Sequence, residues 1–352
     1  MCGIAGIRDE VLAATGGSFA RALQALAWRG RDGQGQVSVG GWRLGVARLA
    51  ITDPGAGQPL AGPQGIAIAF NGAVTSARAE WQQFGSGRRT RNDAELPLLR
   101  LHHAGPAHLA PRCGHHAFAV VAPDGRAWLA RDPFGEKPLY VVYEGGRALA
   151  FASTVPALRA LGFEIELDER EVAAFFKRGW HGTPRVAGPG RTLDDARTGV
   201  WSADDGSDVP QAAAAWPARP LHARLAAAVE RCAAAEVPVG LALSGGIDSA
   251  CIAACLPAPA RAQVHAFQFR ARGAPGGERA VAAAVAGALG MRLVEVDGGP
   301  ELLDDLMLLT RAHGLPLGDP SVLAAHAVAK AAANEGVRVL LSGEGGDELF
   351  FG

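Results

Sequence analysis

One short segment, V-P-V-G-L-A-L-S-G-G-I-D-S at 237–249, constrains the fold of this chain more than any other. Its apolar run predicts a buried parallel strand ending at Leu243, and the residues from Ala250 predict a helix, so Ser244 to Ser249 are expected to form the turn. The adjacent glycines let the backbone turn sharply and bring its N–H groups close to an anion, and the helix N-terminus adds a favourable dipole. The segment therefore predicts a phosphate-binding loop, with an ordinary glycine-rich turn as the alternative.

The kind of phosphate loop can be narrowed from its residues. No lysine follows the glycines, which excludes the Walker type, and the third glycine of the dinucleotide fingerprint is missing. The hexapeptide S-G-G-I-D-S instead resembles the pyrophosphate loop of ATP-pyrophosphatase enzymes, which activate a carboxylate by adenylation. Asp248 would then hold Mg²⁺, since a hard cation that bridges phosphates prefers carboxylate oxygen. The resemblance implies ATP contacts at Leu243, Ser244, Gly245, Gly246, Asp248 and Ser249.

The N-terminus, M-C-G-I-A-G-I, offers a candidate nucleophile. Removal of Met1 is compatible with a small second residue and would leave a thiol and a free α-amino group together on Cys2. An α-amine that titrates at about pH 8 can take the thiol proton directly or through a water molecule. On this motif alone, a cysteine at an ordinary chain start is the alternative.

Together these motifs resemble the glutamine-dependent asparagine synthetase family, whose first domain opens with Cys-Gly-Ile and whose second carries an S-G-G-hydrophobic-D-S loop. Further segments match in order, among them W-R-G-R-D-G-Q-G, A-R-L-A-I-T-D, R-N-D-A-E-L-P-L-L-R and the loop from Arg131 to Tyr140. The chain also departs from the family pattern: the family has His at Trp28, Pro at Arg31, Glu at Ala73 and usually Glu at Thr154.

The resemblance implies a glutamine pocket in the first domain. Arg48 is expected to clamp the α-carboxylate with paired hydrogen bonds, and Asp93 is expected to bind the ammonium. Asn71 and Gly72 are assigned to an oxyanion hole, because acyl transfer from an amide requires donors that converge on the developing charge. Without the resemblance, Asn-Gly predicts a hairpin turn, and Asn92 or Asp93 would serve as a helix N-cap. The implied glutamine-binding residues are Arg48, Leu49, Ala50, Ile51, Thr52, Asn71, Gly72, Ala73 and Asp93.

A second glycine-rich loop follows another apolar strand in V-R-V-L-L-S-G-E-G-G-D-E-L-F-F-G. Loops that follow neighbouring parallel strands converge on one crevice, where open sheets bind ligands. By resemblance Glu344 supports the adenylated intermediate, and Asp347 joins Asp248 at Mg²⁺. The further ATP contacts implied by the family are Phe269, Ser342 and Gly343.

The resemblance and the pattern of elements predict two different domains. Residues 1–203 are strand-rich, and the family implies an α+β N-terminal-nucleophile glutaminase domain with stacked antiparallel sheets and flanking helices. Residues 204–220 change to a polar and then Ala- and Pro-containing stretch, which predicts a linker. Residues 221–352 alternate helix and strand, which predicts an α/β doubly wound parallel-sheet ATP-pyrophosphatase domain.

The composition limits the binding partners and the cellular compartment that are expected for this chain. With 34 basic and 35 acidic residues the chain is close to neutral, so there is no electrostatic case for nucleic acid or an anionic membrane. No apolar run reaches the roughly 18 residues of a membrane span and the N-terminus lacks a signal peptide, so a cytoplasmic location is expected. The five cysteines, an odd number, favour reduced thiols over a disulfide framework.

The resemblance predicts a glutamine-hydrolysing asparagine synthetase that uses glutamine, ATP and a carboxylate acceptor, with aspartate favoured. A natural-product carboxylate is an alternative acceptor, and a non-catalytic nucleotide-binding or regulatory fragment is the alternative class. Family members continue beyond the second loop with a helical region that completes the acceptor pocket and supplies a catalytic lysine. The sequence ends at Gly352, so a fragment, a truncated product and half of a split enzyme all stay open as interpretations. A homodimer or a partner chain that supplies this region are the candidate partners, and little or no synthetase activity is expected of the chain alone. Gly314 and Leu315 replace the family's usual acidic pair and are expected to alter the acceptor site.

Overall fold

A computed structural model describes residues 1–179, 181–212, 219–273 and 277–350 of the chain. The described chain divides into two compact units. The first comprises Met1–Ala215 together with Leu309–Gly318, and the second comprises Trp216–Leu308 together with Asp319–Gly352.

The first unit is built from two antiparallel sheets. One has the strand order β12-β8-β9-β1-β3-β2 and the other β13-β7-β6-β5-β4, while β10 and β11 form a separate short ribbon. The strands are β1 Gly3–Arg8, β2 Gly33–Val39, β3 Trp42–Arg48, β4 Leu60–Ala61, β5 Ala67–Ala73, β6 His115–Val121, β7 Ala127–Arg131, β8 Tyr140–Glu144, β9 Arg147–Ala152, β10 Ile165–Glu166, β11 Arg185–Val186, β12 Arg191–Asp194 and β13 Gly199–Ser202.

Alternating side chains create the layers of this unit. In β6, Ala117 and Ala119 belong to the core between the two sheets, whereas Phe118 and Val120 belong to the core on the outer face. This is the period of two that a strand with two buried faces requires. Helices cover both outer faces: α2 and α5 contribute to the core on β1 and β9, and α4 contributes to the core on β5 and β6. The helices of this unit are α1 Asp9–Thr15, α2 Phe19–Ala25, α3 Ala77–Phe84, α4 Glu95–Ala104, α5 Val155–Ala160 and α6 Glu169–Arg178.

The segment around Gly314 and Leu315 packs within the first unit. Leu315 is buried in the core that contains α5, and Arg159 donates to the Gly314 carbonyl at 3.3 Å. Gly314 has φ +86°, and a Cβ there would lie 2.4 Å from Pro156 Cδ. Backbone conformation and close packing therefore both favour glycine over an acidic residue at this position.

The predicted linker, 204–220, is only partly described. Asp208 bridges to Trp201, and the Ala212 N–H donates to the Ala107 carbonyl at 2.8 Å, so this stretch is held against the first unit up to residue 212. Residues 213–218 lie outside the described residues.

The second unit is organised around a parallel sheet with the order β16-β15-β14-β17. Two hydrophobic clusters flank the inner strand β14. One contains Leu241, and the other contains Phe267 and Val328. In chain order the remaining elements are α7 Leu221–Ala233, β14 Val239–Ala242, α8 Ile247–Cys255, α9 Ala258–Arg261, β15 His265–Ala271, α10 Gly277–Leu289, β16 Arg292–Gly298, α11 Leu302–His313, α12 Ser321–Asn334, β17 Val339–Leu341 and α13 Gly346–Phe350.

The predicted fold class is confirmed, with corrections at the loops. Helix α8 begins at Ile247, not at Ala250, so the predicted turn from Ser244 to Ser249 is too long. Asp248 lies in the first turn, where its negative charge interacts favourably with the helix dipole, and this allows the helix to start earlier. Every cysteine among the described residues is a free thiol. Within those residues, no helix is long and apolar enough to cross a membrane.

Candidate active sites

The thiol of Cys2 lies just before β1, at the end of the core between the two sheets, and the residue is 8% exposed. The Leu49 N–H donates to Cys2 Sγ at 3.3 Å, and the Leu49 carbonyl lies 3.6 Å from the same sulfur. Burial raises the pKa of the Cys2 thiol, while the Leu49 contact, the chain's N-terminal charge and Arg48 lower it. The thiol is therefore protonated at neutral pH, and a base is needed to activate it.

The side-chain amide of Asn71 lies in the core between the two sheets, where Cys2 also lies, and makes no hydrogen bond there. Asn71 follows Ala67 and Ala69 at intervals of two in β5, which places its side chain on the face that packs against Cys2 and its sheet. Asn71 is fully buried, and neither its Nδ2 nor its Oδ1 has a hydrogen-bond partner. An unpaired buried amide costs free energy, and a site that binds an oxygen atom is one reason to retain it.

Gly72 lies in β5 opposite His116 rather than in a turn, so the hairpin alternative for Asn-Gly is wrong. Its φ is +152°, and a Cβ there would lie 2.1 Å from the His115 carbonyl oxygen. The neighbouring strand therefore leaves space only for glycine.

Arg48 supports the loop that follows β3. Its Nη2 donates to the carbonyls of Thr52 at 2.8 Å and Asp53 at 2.7 Å, and its Nη1 donates to the Pro54 carbonyl at 3.1 Å. In this arrangement both Nη2 hydrogens are engaged, so the guanidinium offers no free pair of donors to a carboxylate. Leu49 contacts Cys2 through its backbone, and Ala50 and Ile51 follow it in the same loop. The Ala50 N–H donates to Asp32 Oδ2 at 2.6 Å.

Asp93 connects the two walls of the predicted glutamine pocket. Its Oδ1 accepts the Thr52 hydroxyl at 2.6 Å, and its Oδ2 accepts the Val74 N–H at 2.7 Å. Burial raises the pKa of Asp93, and these two hydrogen bonds lower it. Helix α4 begins at Glu95, and Asp93 does not cap it, because both Asp93 oxygens are engaged elsewhere. Asn92 Oδ1 accepts the Ala94 N–H at 3.0 Å, which is the kind of contact that the N-cap alternative predicts for Asn92.

One residue beside Cys2 was missed by the sequence analysis. Arg29 Nε donates to the Cys2 carbonyl at 3.0 Å, and burial lowers the pKa of Arg29. The neighbouring Gly30 allows Arg29 to reach Cys2, because the chain passes so close to β3 that a Cβ at residue 30 would lie 2.2 Å from the Ala47 carbonyl oxygen. The glycine of the W-R-G-R-D segment was the sequence signal for this contact. Its importance could be recognised only once the packing of Gly30 was known.

The first glycine-rich loop of the second unit joins β14 to α8. The Gly246 N–H donates to Ser244 Oγ at 3.1 Å, and the Ser244 and Ser249 hydroxyls lie 3.1 Å apart. Gly245 has φ +92°, and a Cβ there would lie 2.4 Å from the Glu278 carbonyl oxygen. Ser244 and Gly246 are exposed, so this loop is open to solvent at the carboxyl end of the strand.

The second glycine-rich loop meets the first at Asp248. Strands β14 and β17 are parallel neighbours, so the loops that follow them leave the same edge of the sheet. A Cβ at Gly343 would lie 3.1 Å from Asp248 Cβ, and a Cβ at Gly346 would lie 2.6 Å from Asp248 Cγ. The glycines thus make room for the Asp248 carboxylate, and Asp347 follows directly at the start of α13.

The donor set at these loops fits a magnesium ion. Asp248 and Asp347 are carboxylates on two converging loops, and hard divalent cations that bind nucleotides use one or two carboxylates together with phosphate oxygens and water. The described residues contain no preassembled group of three or more metal-ligating side chains.

The other predicted ATP-site residues are distributed around this edge. Leu243 is buried and continues the ladder through a 2.8 Å bond from its N–H to the Phe267 carbonyl. Ser342 and Glu344 are exposed in the second loop. Phe269 is in β15, and its carbonyl accepts Gln268 Nε2 at 2.7 Å. The structure therefore brings the two loops together and leaves Phe269 on the adjacent strand.

Comparisons with known proteins agree with this arrangement. The family profile described as "Glutamine amidotransferase domain" matches residues 1–203, and the one described as "Asparagine synthase" matches residues 221–352. The chain is 30% identical to a protein provisionally named as a glutamine-hydrolysing asparagine synthetase in Mycobacterium bovis, covering 100% of the chain and 60% of the relative. It is 27% identical to asparagine synthetase 1 of Bacillus subtilis, covering 100% and 59%. It is 26% identical to asparagine synthetase B of Escherichia coli, covering 92% and 59%.

The class defined by the fold and by the larger of the two matches is a glutamine amidotransferase. More specifically, the chain belongs to the family that joins this amidotransferase domain to an asparagine synthase domain, which confirms the resemblance found in the sequence. The chain spans about 60% of the length of the curated relatives described above.

Proposed function

We propose that this chain is a glutamine-hydrolysing asparagine synthetase in which residues 1–203 release ammonia from glutamine and residues 221–352 activate a carboxylate with ATP. The single observation that carries the first half is the unpartnered, fully buried amide of Asn71 on the interface that holds Cys2. Cytoplasmic location, aspartate as the acceptor and a homodimer or partner chain belong to the same proposal. The names of the relatives support the choice of asparagine synthesis.

The first half-reaction begins after removal of Met1, which gives Cys2 a free α-amine. That amine takes the thiol proton, and the thiolate attacks the side-chain amide carbon of glutamine. Asn71 Nδ2 and the Gly72 N–H donate to the oxyanion, the proton returns to the leaving nitrogen, and ammonia departs from a thioester. Water then hydrolyses the thioester to glutamate. Glutamine contacts are assigned to Arg48, Leu49, Ala50, Ile51, Thr52, Asn71, Gly72, Ala73 and Asp93.

Recognition of the amino-acid end of glutamine requires a small rearrangement of Arg48. Its paired donors are engaged by the Thr52–Pro54 carbonyls, so a bidentate contact to the α-carboxylate requires these to be exchanged. Asp93 is oriented by Thr52 and Val74 towards the same wall. Arg48 is therefore assigned to the α-carboxylate of glutamine and Asp93 to its α-ammonium.

The second half-reaction uses the two loops at the edge of the parallel sheet. Backbone N–H groups and hydroxyls of Ser244, Gly245, Gly246 and Ser249 bind the phosphates, with Leu243, Phe269, Ser342 and Gly343 completing the ATP contacts. Asp248 and Asp347 hold Mg²⁺, which when bound neutralises phosphate charge. The acceptor carboxylate attacks the α-phosphorus, pyrophosphate leaves, and ammonia displaces AMP from the acyl-adenylate. Glu344, exposed in the second loop, supports the adenylated intermediate.

Two assays on the purified chain test the two halves separately. Ammonia and glutamate should form from glutamine in equal amounts in the wild type and not in Cys2→Ala. Mg-ATP should bind to the purified chain and bind more weakly to Asp248→Asn, and any exchange of labelled pyrophosphate into ATP should depend on aspartate. Absence of glutamine hydrolysis from protein shown to lack Met1 would contradict the first half, and aspartate-independent exchange would contradict the acceptor.

A further inference from the structure

Glutamine carries an ammonium group that needs a carboxylate partner, and Asp93 has limited capacity to be that partner. Both of its oxygens already accept hydrogen bonds, from the Thr52 hydroxyl at 2.6 Å and the Val74 N–H at 2.7 Å. Burial also raises the pKa of Asp93. A second carboxylate within reach of the same ammonium would share its charge and hydrogen bonds with Asp93.

Such a carboxylate lies across the neighbouring strand. Ala73 is on the face of β5 that carries Asn71, and His115 in β6 lies directly opposite Ala73. Directly opposed residues in an antiparallel pair point to the same face, with Cβ atoms about 5 Å apart. His115 therefore points to the face that carries Asn71, and Glu136 Oε2 lies 3.7 Å from its Nδ1.

The backbone of the loop that carries Glu136 is held in place, and the Glu136 side chain is open to solvent. The Asp132 carboxylate accepts the backbone N–H groups of His116, Glu136 and Lys137 at 3.0–3.2 Å, which ties the Glu136 loop to β6. The Glu136 side chain is 52% exposed and that of His115 is 30% exposed.

The charges around Glu136 leave its carboxylate available. Burial, together with Lys137, lowers the pKa of His115 to about 4, so His115 is neutral at neutral pH and does not neutralise Glu136. Burial raises the pKa of Glu136, and the adjacent Lys137 lowers it. An ionised carboxylate beside a neutral imidazole can accept a substrate ammonium, with the imidazole contributing a further acceptor.

We propose that Glu136, positioned beside His115, binds the α-ammonium of the amide donor. This assignment rests on the proposed glutamine hydrolysis and makes Glu136 a specificity-determining residue. It also accounts for an alanine at residue 73: the carboxylate that would otherwise be needed there is supplied from the loop between β7 and β8, across the strand pair.

Equilibrium binding in the Cys2→Ala background tests the assignment without turnover. Calorimetry would compare L-glutamine with glutaric acid monoamide, which has the amide and the carboxylate but no ammonium. Glu136→Gln should weaken glutamine binding about tenfold or more and change binding of the monoamide less than twofold, because only glutamine loses a charge-assisted hydrogen bond. Adding Ala73→Glu to Glu136→Gln should restore glutamine affinity, since residue 73 faces the same wall.

Glu144→Gln is the matched control. Its carboxylate is similarly exposed at 49%, and it pairs with Arg191 at the end of β8 remote from the Tyr140 end that follows the Glu136 loop. It should change neither affinity. Unchanged glutamine binding in Glu136→Gln, or equal losses for both ligands, would overturn the ammonium role while leaving the proposed function intact. Failure of the parent Cys2→Ala protein to bind glutamine would instead contradict the proposed function, and this assignment with it.

Discussion

Replacing Asn71 by alanine should make the protein slower and more stable at the same time. The expectation follows from the isolation of its side chain: both amide atoms are fully buried and lack hydrogen-bond partners in the substrate-free protein. A buried polar group without a partner costs roughly 1–3 kcal/mol, and deleting it recovers that amount. The small cavity left by the truncation costs about 1 kcal/mol in return.

The net gain for Asn71→Ala is therefore about 1 kcal/mol, which raises Tm by roughly 2–4 °C for a domain of this size. The same substitution should destabilise the transition state for glutamine hydrolysis. Loss of one oxyanion donor lowers kcat by a factor of about 10²–10³. Thermal unfolding followed by circular dichroism and a glutamate-release assay on the same preparation measure both effects.

Asn92→Ala provides the contrast, because Asn92 is also buried and its Nδ2 also lacks a partner, but its Oδ1 accepts the Ala94 N–H at 3.0 Å. That truncation leaves a buried backbone donor unpaired and a small cavity, which together outweigh the removal of the unpaired Nδ2 and should lower stability by about 1 kcal/mol. If Asn71→Ala loses as much stability as Asn92→Ala and keeps its glutaminase rate, the Asn71 amide is a structural group and the oxyanion assignment fails.

Four further substitutions test other contacts of the structure. Burial raises the pKa of Asp93 above its ordinary value, so the folded state binds the Asp93 proton more tightly than the unfolded state does. The folded state therefore loses stability as the pH rises through the Asp93 pKa. In urea unfolding, Asp93→Asn should be more stable than wild type at neutral pH, and the difference should vanish at acid pH. Asp248→Asn and Asp347→Asn should each weaken Mg-ATP binding about tenfold in calorimetry and leave glutamine hydrolysis unchanged, and unchanged affinity in both variants would refute their magnesium role. Glu80→Gln should cost about 3–5 kcal/mol, because it leaves the buried Arg100, now paired at 2.7 Å, without a charge partner; a loss below about 1 kcal/mol in denaturant titration would contradict this.

The sequence was most informative where local pattern and function coincide. The apolar run before Ser244 and the glycines after it predicted a parallel strand and a loop at its carboxyl end, because both features depend on neighbouring residues. The strand-rich first domain was predicted in the same way. The start of α8 was misplaced because glycine, isoleucine and serine give a weak local helix signal, whereas Asp248 in the first turn favours the helix through its dipole.

The candidate sites depended more on contacts between distant segments. Asn71-Gly72 has the composition of a hairpin, yet it lies within β5 because pairing with β6 fixes its backbone. Local propensity cannot report that pairing. Likewise, an acidic residue before a helix predicts an N-cap, but Asp93 is taken up by Thr52 and Val74, which are far away in sequence. Arg29 was missed for the same reason, since its partner is the Cys2 carbonyl.

The most direct test of the account is to locate the nucleophile chemically. Protein shown by intact mass to lack Met1 would be treated with 6-diazo-5-oxo-L-norleucine, a glutamine analogue with an electrophilic carbon, and digested for peptide mass spectrometry. The account predicts one adduct, on Cys2, formed in step with loss of glutaminase activity and prevented by excess glutamine. Labelling of Cys113, Cys232, Cys251 or Cys255 instead, or loss of activity without any adduct on Cys2, would contradict it.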